Sequence, residues 1–82
     1  MTATPGAMRE MIEHVAQQLV DSPEGVVVTE EQDGDFTKLH LKVAEADTGK
    51  VIGRGGRIAK ALRTLLKIMA TRDGAKVNLE ID

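Results

Sequence analysis

A short glycine-rich segment separates two stretches of helical periodicity and restricts the folds that this chain can adopt. The segment Gly53–Gly56 reads Gly-Arg-Gly-Gly and follows the β-branched pair Val51-Ile52. Glycine lacks a Cβ, so the backbone of another molecule can approach closely. The helix that follows offers unpaired N–H groups and the positive end of its dipole, which suit an anion. Because Arg54 and Arg57 add full positive charges, the segment predicts a phosphate-binding loop.

The charge of the chain is divided unequally along its length. Between Thr48 and Arg72 there are seven basic residues and no acidic residue, whereas the other four basic residues and all 13 acidic residues lie elsewhere. A formal net charge of −2 alone argues against a polyanionic ligand, but this distribution predicts one positive patch on an acidic surface. A solvated helix face is the alternative interpretation, and the absence of any acid in the stretch favours an anion site.

The composition is that of a small globular protein. With 82 residues, 41% hydrophobic and 29% charged, the chain is expected to form one domain with a modest core. It has no cysteine, and no apolar run approaches the roughly 18 residues of a membrane span. Residues 1–7 lack the regions of a signal peptide and are expected to be flexible, with a single domain over residues 8–82. We therefore expect a cytoplasmic protein without membrane insertion, bound metal or cofactor.

Hydrophobic periodicity predicts three helices and three strands. The first helix follows Thr4-Pro5, which resemble an N-cap and a first-turn proline, and it ends before Pro23. An Asp-Gly pair within Gln32–Asp35 predicts a hairpin turn. The remaining predicted elements are a strand at Val26–Glu30, a strand at Phe36–Val43, a short helix from Glu45 to the glycine loop, a main helix from Gly56 to Thr71, and a strand containing Val77, Leu79 and Ile81.

This order predicts an α+β fold with the arrangement α-β-β-α-α-β. Alternation places Leu39 and Leu41 on one face of the sheet and Lys38 and His40 on the other. The first two strands form an antiparallel hairpin, and roughly 30 residues of mainly helical chain lead to a third, parallel strand by a right-handed crossover. We therefore expect a three-stranded mixed sheet with three helices packed on its apolar face.

The main helix presents three groups of residues at helical spacing. They are an expected core stripe (Ile58, Leu62, Leu65, Leu66 and Met69), a basic side (Arg57, Lys60, Arg63 and Lys67), and a small apolar strip beside it (Ala61, Thr64 and Ile68). The core does not need the small apolar strip. It is therefore a candidate dimer interface.

The position of the glycine loop excludes two nucleotide-binding loops. A Walker loop requires G-x-x-x-x-G-K-[ST] after a strand, and a dinucleotide loop requires G-x-G-x-x-G between a strand and a helix. Here the loop joins two helices. A glycine loop between helices in an α-β-β-α-α-β chain is typical of the KH domain, whose G-x-x-G clamp holds about four backbone nucleotides.

The residues around the loop are similar to the KH signature. Val51 to Ile58 reads V-I-G-R-G-G-R-I and matches [VI]-I-G-x-x-G-x-x-I, except that the closing apolar position falls at Ala59. The longer run from Asp47 to Leu66, D-x-G-K-V-I-G-R-x-G-R-x-A-K-A-L-R-T-L-L, resembles the KhpA (YlqC-type) family of small bacterial KH proteins. The resemblance extends over nearly the whole chain, and the element order is that of type II KH domains.

The resemblance implies a single-stranded RNA-binding protein that acts as an RNA chaperone or post-transcriptional regulator, with bases laid in a groove between the helices and a sheet edge. It implies a homodimer, or a heterodimer with the larger KH protein KhpB (Jag/EloR), and a role in cell elongation and envelope homeostasis. The family commonly has a polar residue at the position of Gly55, so a more flexible loop and a lower affinity are expected. The implied RNA-binding residues are Lys50, Val51, Ile52, Gly53, Arg54, Gly55, Gly56, Arg57, Ile58 and Lys60. The three apolar residues among them would support the loop or contact bases, and core packing is at least as well supported for them.

Two other functions stay open on the sequence. An enzyme would have to use His14 or His40, each alone on a polar face without a nucleophile or metal-ligand partner at a useful spacing, so a solvated histidine is favoured. A protein-interaction module with the KH fold and weak or lost RNA binding is supported by Gly55 and by the acidic remainder of the chain.

Overall fold

The computed structural model describes residues 6–72 and 74–82 of the chain. Its elements are α1 (Ala7–Leu19), β1 (Val27–Asp33), β2 (Phe36–Lys42), α2 (Thr48–Ile52), α3 (Arg57–Arg72) and β3 (Lys76–Ile81), with single 3-10 turns at Pro23–Gly25, Glu45–Asp47 and Arg54–Gly56. The predicted α+β class and the arrangement α-β-β-α-α-β are confirmed.

The three strands form one mixed sheet in the order β1-β2-β3. β1 and β2 are antiparallel, and their register places Asp33 opposite Phe36, so the hairpin turns on Gly34 and Asp35 alone. Gly34 has a φ of 65°, a left-handed value that tight hairpin turns favour. β3 runs parallel to β2 on its other side. Both predicted strand pairings are confirmed, and the turn is tighter than predicted because β1 continues to Asp33.

All three helices cover the same face of the sheet, as predicted, and the core lies between them. Leu39 and Leu41 of β2 are buried and alternate with the exposed Lys38 and His40, so the opposite face meets solvent. Fully buried side chains come from every layer of the fold. The largest of them are Ile12, Thr37, Leu39, Leu41, Val51, Leu66 and Leu79.

The core stripe of α3 differs from the predicted one. Its buried residues are Ala59, Leu62, Leu66 and Ala70, which recur every three or four positions. Leu65, which the periodicity assigns to the core, is 48% exposed. That prediction is wrong because α3 packs against the rest of the fold on the side that carries the two small alanines. With the helix in this orientation, Leu65 faces solvent.

α1 begins later than the sequence pattern indicates. Gly6 precedes the helix and has a φ of 88°, which is not a helical value, so the first helical residue is Ala7. The buried side of the helix carries Ile12 and Ala16. The predicted cap at Thr4-Pro5 lies outside the described residues, as do the first five residues of the segment 1–7 for which flexibility is predicted.

The different burial of Leu66 and Leu65 can be tested by measuring how much each side chain contributes to the free energy of unfolding. Replacing a buried leucine by alanine typically costs about 2–5 kcal/mol, and we expect Leu66→Ala to lower the free energy of unfolding by an amount in that range. Leu65→Ala, one position earlier in the same helix, should change it by no more than about 0.5 kcal/mol. Urea denaturation, at a protein concentration that keeps the chain monomeric, compares the two variants. Equal losses would mean that Leu65 belongs to the core.

Candidate nucleic-acid interface

The glycine loop forms a single 3-10 turn between α2 and α3. The N–H of Gly56 donates to the carbonyl oxygen of Gly53 at 3.1 Å, and the N–H of Arg57 donates to that of Arg54. Gly53, Gly55 and Gly56 have φ values of 78°, 66° and 77°. All three values lie in the left-handed region that side chains disfavour, which explains why the turn contains so many glycines.

Gly53 also occupies a position in which a side chain does not fit. A Cβ atom there would lie 2.7 Å from Cγ1 and 2.9 Å from the backbone nitrogen of Ile58. The nitrogen cannot retreat without displacing the first turn of α3. At Gly55 and Gly56, by contrast, a Cβ would meet no atom within 4 Å. Packing and conformation both require the first glycine, whereas conformation alone favours the other two.

The loop presents hydrogen-bond donors and positive charge to solvent. Among the described residues, no backbone oxygen accepts a hydrogen bond from the N–H of Arg54 or Gly55. Arg54, Arg57 and Lys60 are exposed, and none of them forms an ion pair within the described part of the chain. Free N–H groups at a helix start, next to unpaired cations, are suited to hold a phosphate group.

The apolar residues beside the loop support it from beneath. Val51 is fully buried in the core, so the direct ligand contact predicted for it is not available. Ile58 is half-buried, packs against the core and lies against Gly53. Ile52 is also half-buried. Of the two alternatives that the sequence left open, core packing applies to Val51, while Ile52 and Ile58 retain surface that can meet a base.

Lys50 differs from Arg54, Arg57 and Lys60 because its ammonium already has carboxylate partners. Its Nζ donates to Oδ1 of Asp47 at 3.1 Å and to the carboxylate of Asp21. Hydrogen bonds to Asp21 and Asp47 raise the pKa of Lys50 above its usual value. A phosphate contact by Lys50, as predicted from the resemblance, would have to compete with these two carboxylates.

Asp47 is the buried centre of this cluster. It accepts hydrogen bonds from the backbone N–H groups of Asp21 at 3.3 Å and Ser22 at 3.1 Å, in addition to the one from Lys50. Burial raises the pKa of Asp47, but the hydrogen bonds from Lys50, Asp21 and Ser22 outweigh it and hold the pKa below its usual range. Sequence reasoning assigned Asp47 to an acidic helix start and missed this role. The only feature of the nearby sequence that could have indicated this role is the three-residue spacing between Asp47 and Lys50, which suits an ion pair on a helix.

A groove of about 390 Å³ runs between α3 and the edge strand β3. Its floor is apolar, its rim carries Arg63, Lys67 and Lys76, and the described residues that line it include no acid. Nε of Arg63 donates to the backbone oxygen of Leu79 at 3.3 Å, which marks the end of the groove nearer to the loop. From Gly56 to this point α3 makes roughly two turns. A groove is thus present where the resemblance implies that bases lie, between the helices and a sheet edge.

The residues predicted for a dimer interface share another side of α3. Ala61, Thr64 and Ile68 are exposed, and Leu65 lies beside them. Leu65 and Ile68 are 48% and 55% exposed, high fractions for large apolar side chains. At 100° per residue, Leu65 points away from the groove, whereas Thr64 and Ile68 lie beside Lys67 on its rim. We call these four residues the apolar flank of α3.

Other kinds of site find little support in the described part of the chain. No helix there is long and apolar enough to cross a membrane. Within the same residues, no three His, Cys, Asp or Glu side chains are arranged to hold a metal ion. Nε2 of His40 lies 2.9 Å from a carboxylate oxygen of Asp82, on the solvent-facing side of the sheet.

Two helices joined by a G-x-x-G turn, inside an α-β-β-α-α-β fold with a mixed sheet, define a type II KH domain. The profile of one family, KhpA/KhpB, KH domain, matches residues 9–81. The chain belongs to this family, which confirms the resemblance found in the sequence.

Several relatives carry the name RNA-binding protein KhpA. The chain is 49% identical to the one from Clostridium perfringens, over 90% of this chain and 99% of the relative. It is 46% identical to the one from Chlamydia trachomatis, over 90% and 95% of the two chains. For the one from Halalkalibacterium halodurans the identity is 45%, over 90% and 97%. These relatives therefore have nearly the same length as the matched domain.

The steric requirement at Gly53 can be tested against a glycine that lacks it. Gly53→Ala combines left-handed strain with a clash against Ile58, so we expect it to lower the free energy of unfolding by about 1–3 kcal/mol. Gly49 lies in α2, where a Cβ would meet nothing within 4 Å. Gly49→Ala should therefore raise that free energy by about 0.5–1 kcal/mol. Chemical denaturation measures both changes, and a Gly53→Ala variant as stable as the wild type would contradict the packing described here.

Proposed function

We propose that the chain binds single-stranded RNA through the Gly53–Gly56 loop. The observation that carries this proposal is the arrangement of donors and charges at the loop. Free backbone N–H groups lie there beside the exposed side chains of Arg54, Arg57 and Lys60, which form no ion pair within the described residues. The names of relatives 45–49% identical to this chain favour RNA over other polyanions. The site in this proposal binds its ligand and performs no catalysis.

In the proposed complex the sugar–phosphate backbone lies on the loop, and the bases enter the groove between α3 and β3. Phosphate contacts position the strand without reading its sequence. β3 is an edge strand, so alternate backbone N–H and C=O groups face the groove and are available to base edges. Arg63 already occupies one of these groups, the backbone oxygen of Leu79.

Sequence preference should be weak in this arrangement. The only aromatic residue, Phe36, lies in β2 with its side chain on the face opposite the helices. No aromatic ring is therefore available to stack on bases in the groove. Gly55 adds conformational freedom that must be lost when RNA binds. Recognition then depends mainly on charge, and affinity should fall as salt rises.

The more specific parts of the proposal follow from the family. Weak, sequence-tolerant binding allows repeated release and rebinding, which suits an RNA chaperone or post-transcriptional regulator in the cytoplasm. A role in cell elongation and envelope homeostasis, together with KhpB, belongs to the same proposal and comes from the family resemblance.

The RNA-binding proposal is tested by titrating a short labelled single-stranded RNA and following its fluorescence anisotropy. The wild type should bind with a slope of log K against log salt of about −0.7 for each phosphate contact. The double variant Arg54→Asp, Gly55→Asp should lose this binding, since it places negative charge where the phosphate would lie. Lys38→Gln removes a charge from the solvent face of the sheet and is the matched control, which should retain wild-type affinity.

Two results would refute the RNA clamp. One is the absence of salt-sensitive binding by the wild type, and the other is unchanged binding by the double variant. In either case a protein-interaction module with the KH fold becomes the better description.

We also propose that the apolar flank of α3 pairs with a second KH domain, in another copy of this chain or in KhpB. The exposure of Leu65 and Ile68, about half of each residue, supports this proposal. A clamp for about four nucleotides gives limited affinity. Two clamps held together gain affinity through avidity without new contacts. Pairing would cover the outer side of α3 beside Lys67, at the rim of the groove, and not the groove floor.

The interface is tested by analytical ultracentrifugation. Ile68→Lys should shift the protein to monomer, because pairing would bury an unpaired charge. Val27→Lys is the matched control, since Val27 is 50% exposed on the other side of the sheet and its replacement should leave sedimentation unchanged. A dimer that persists in Ile68→Lys would show that the interface lies elsewhere, and a monomeric wild type would exclude the homodimer.

A further inference from the structure

A buried carboxylate lies next to the clamp, and the binding of RNA proposed above does not use it. The side chain of Asp47 is only 3% exposed. It accepts hydrogen bonds from the backbone N–H groups of Asp21 and Ser22, at 3.3 and 3.1 Å, and from Nζ of Lys50 at 3.1 Å. Asp21 and Ser22 follow α1, whereas Lys50 lies in α2. The carboxylate therefore joins two segments that are far apart in sequence.

These bonds act on the element that leads into the loop. α2 has five residues, too few to be stable as an isolated helix. It is held by Val51 in the core and by Asp47, which immediately precedes its first residue. Gly53 follows directly after its last residue. A rotation of α2 would therefore displace Gly53 from its close contact with Ile58.

The charge balance of the cluster argues against Lys50 as a phosphate ligand. Its ammonium pairs with the carboxylates of both Asp47 and Asp21, so two negative charges surround one positive charge. The side chain of Asp21 is 82% exposed. A phosphate that approached Lys50 would be repelled by this second carboxylate. Lys60 on α3 has no such partner within the described residues.

We infer that Asp47 and Lys50 are positioning residues of the clamp: they hold α2, and hence the entry of the Gly53–Gly56 loop, and do not themselves neutralise RNA phosphate. This inference rests on the proposed RNA-binding function. It assigns to Lys50 a different role from the phosphate contact predicted from the sequence. A positioning residue alters affinity without altering the number of phosphate contacts, so the affinity and its salt dependence respond separately.

The first test compares two lysines by titrating a short oligouridylate into the full chain over a series of salt concentrations. Lys60→Met should reduce the magnitude of the slope of log K against log salt by about 0.7, the value for one contact in a single strand. Lys50→Met is the matched variant and should leave the slope at its wild-type value. A reduction in Lys50→Met equal to that in Lys60→Met overturns the inference.

The second test removes the buried charge. Asp47→Asn should loosen α2, and ordering even one further backbone residue on binding should raise the Kd roughly tenfold. The slope should stay unchanged, and the amide NMR signals of Gly53–Gly56 should shift while that of Leu39 in the sheet stays in place. Glu45→Gln, an exposed carboxylate nearby, is the control and should bind like the wild type. A folded Asp47→Asn variant with a wild-type Kd contradicts the inference.

A third variant covers the case in which Asp47→Asn does not fold. The carboxylate of Asp21 is exposed, so Asp21→Asn should fold while Lys50 keeps its bond to Asp47. An unchanged slope supports the inference, whereas a slope steeper by about 0.7 shows Lys50 released onto phosphate and refutes it. A wild type that does not bind the oligouridylate refutes the proposed function before any variant is compared. The two failures are therefore distinguishable.

Discussion

The packing of α3 against the rest of the fold determines where every other surface of the molecule lies. Four residues form the buried stripe of this helix, namely Ala59, Leu62, Leu66 and Ala70. When one side of a helix is buried in a core, its other sides and its two ends are available to form surfaces. In α3 one flank adjoins β3 and forms the basic groove, the other is apolar, and the N-terminal end carries the glycine loop. The rotation of α3 about its axis therefore places the groove and the apolar flank, and the direction of that axis places the loop.

That rotation is the part of the fold that periodicity predicts least well. The spacing of apolar residues predicted the elements and the order of the fold correctly, because each strand and helix needs one apolar side. It could not decide whether Leu65 or the alanines face inward, since both lie within the apolar half of the helix. Close approach selects the smaller side chains, as seen at Ala59 and Ala70. The larger leucine is then left on the surface, where it enlarges the strip predicted from Ala61, Thr64 and Ile68.

The site shows a similar division between what sequence can and cannot predict. The need for glycine at Gly53 could be inferred from a turn between helices, and its contact with Ile58 supplies the steric reason. The sign of the charge on Lys50 was evident, but its partners were not, because Asp21 is 29 residues away in sequence. A basic stretch therefore predicts a positive surface only where the fold brings no carboxylate to it. Arg54 and Arg57 meet this condition within the described residues, and Lys50 does not.

An acidic protein can bind RNA as proposed only if most of its acids lie away from the clamp or, like Asp21 and Asp47, are paired with a cation. Much of the negative charge is on the β1–β2 hairpin, and the N–H of Lys76, just beyond α3, donates to the backbone oxygen of Asp35 at 3.0 Å. The hairpin tip therefore lies near the C-terminal end of α3, while the loop lies at its N-terminal end. Sixteen helical residues span roughly 24 Å, about three times the screening distance at physiological salt. The hairpin acids thus lie too far away to disturb the Gly53–Gly56 loop, but an RNA strand that followed α3 from the loop, as proposed, would meet them at the end of the groove. In the proposed complex this geometry would limit contact to a short stretch, as expected for a clamp that holds about four nucleotides.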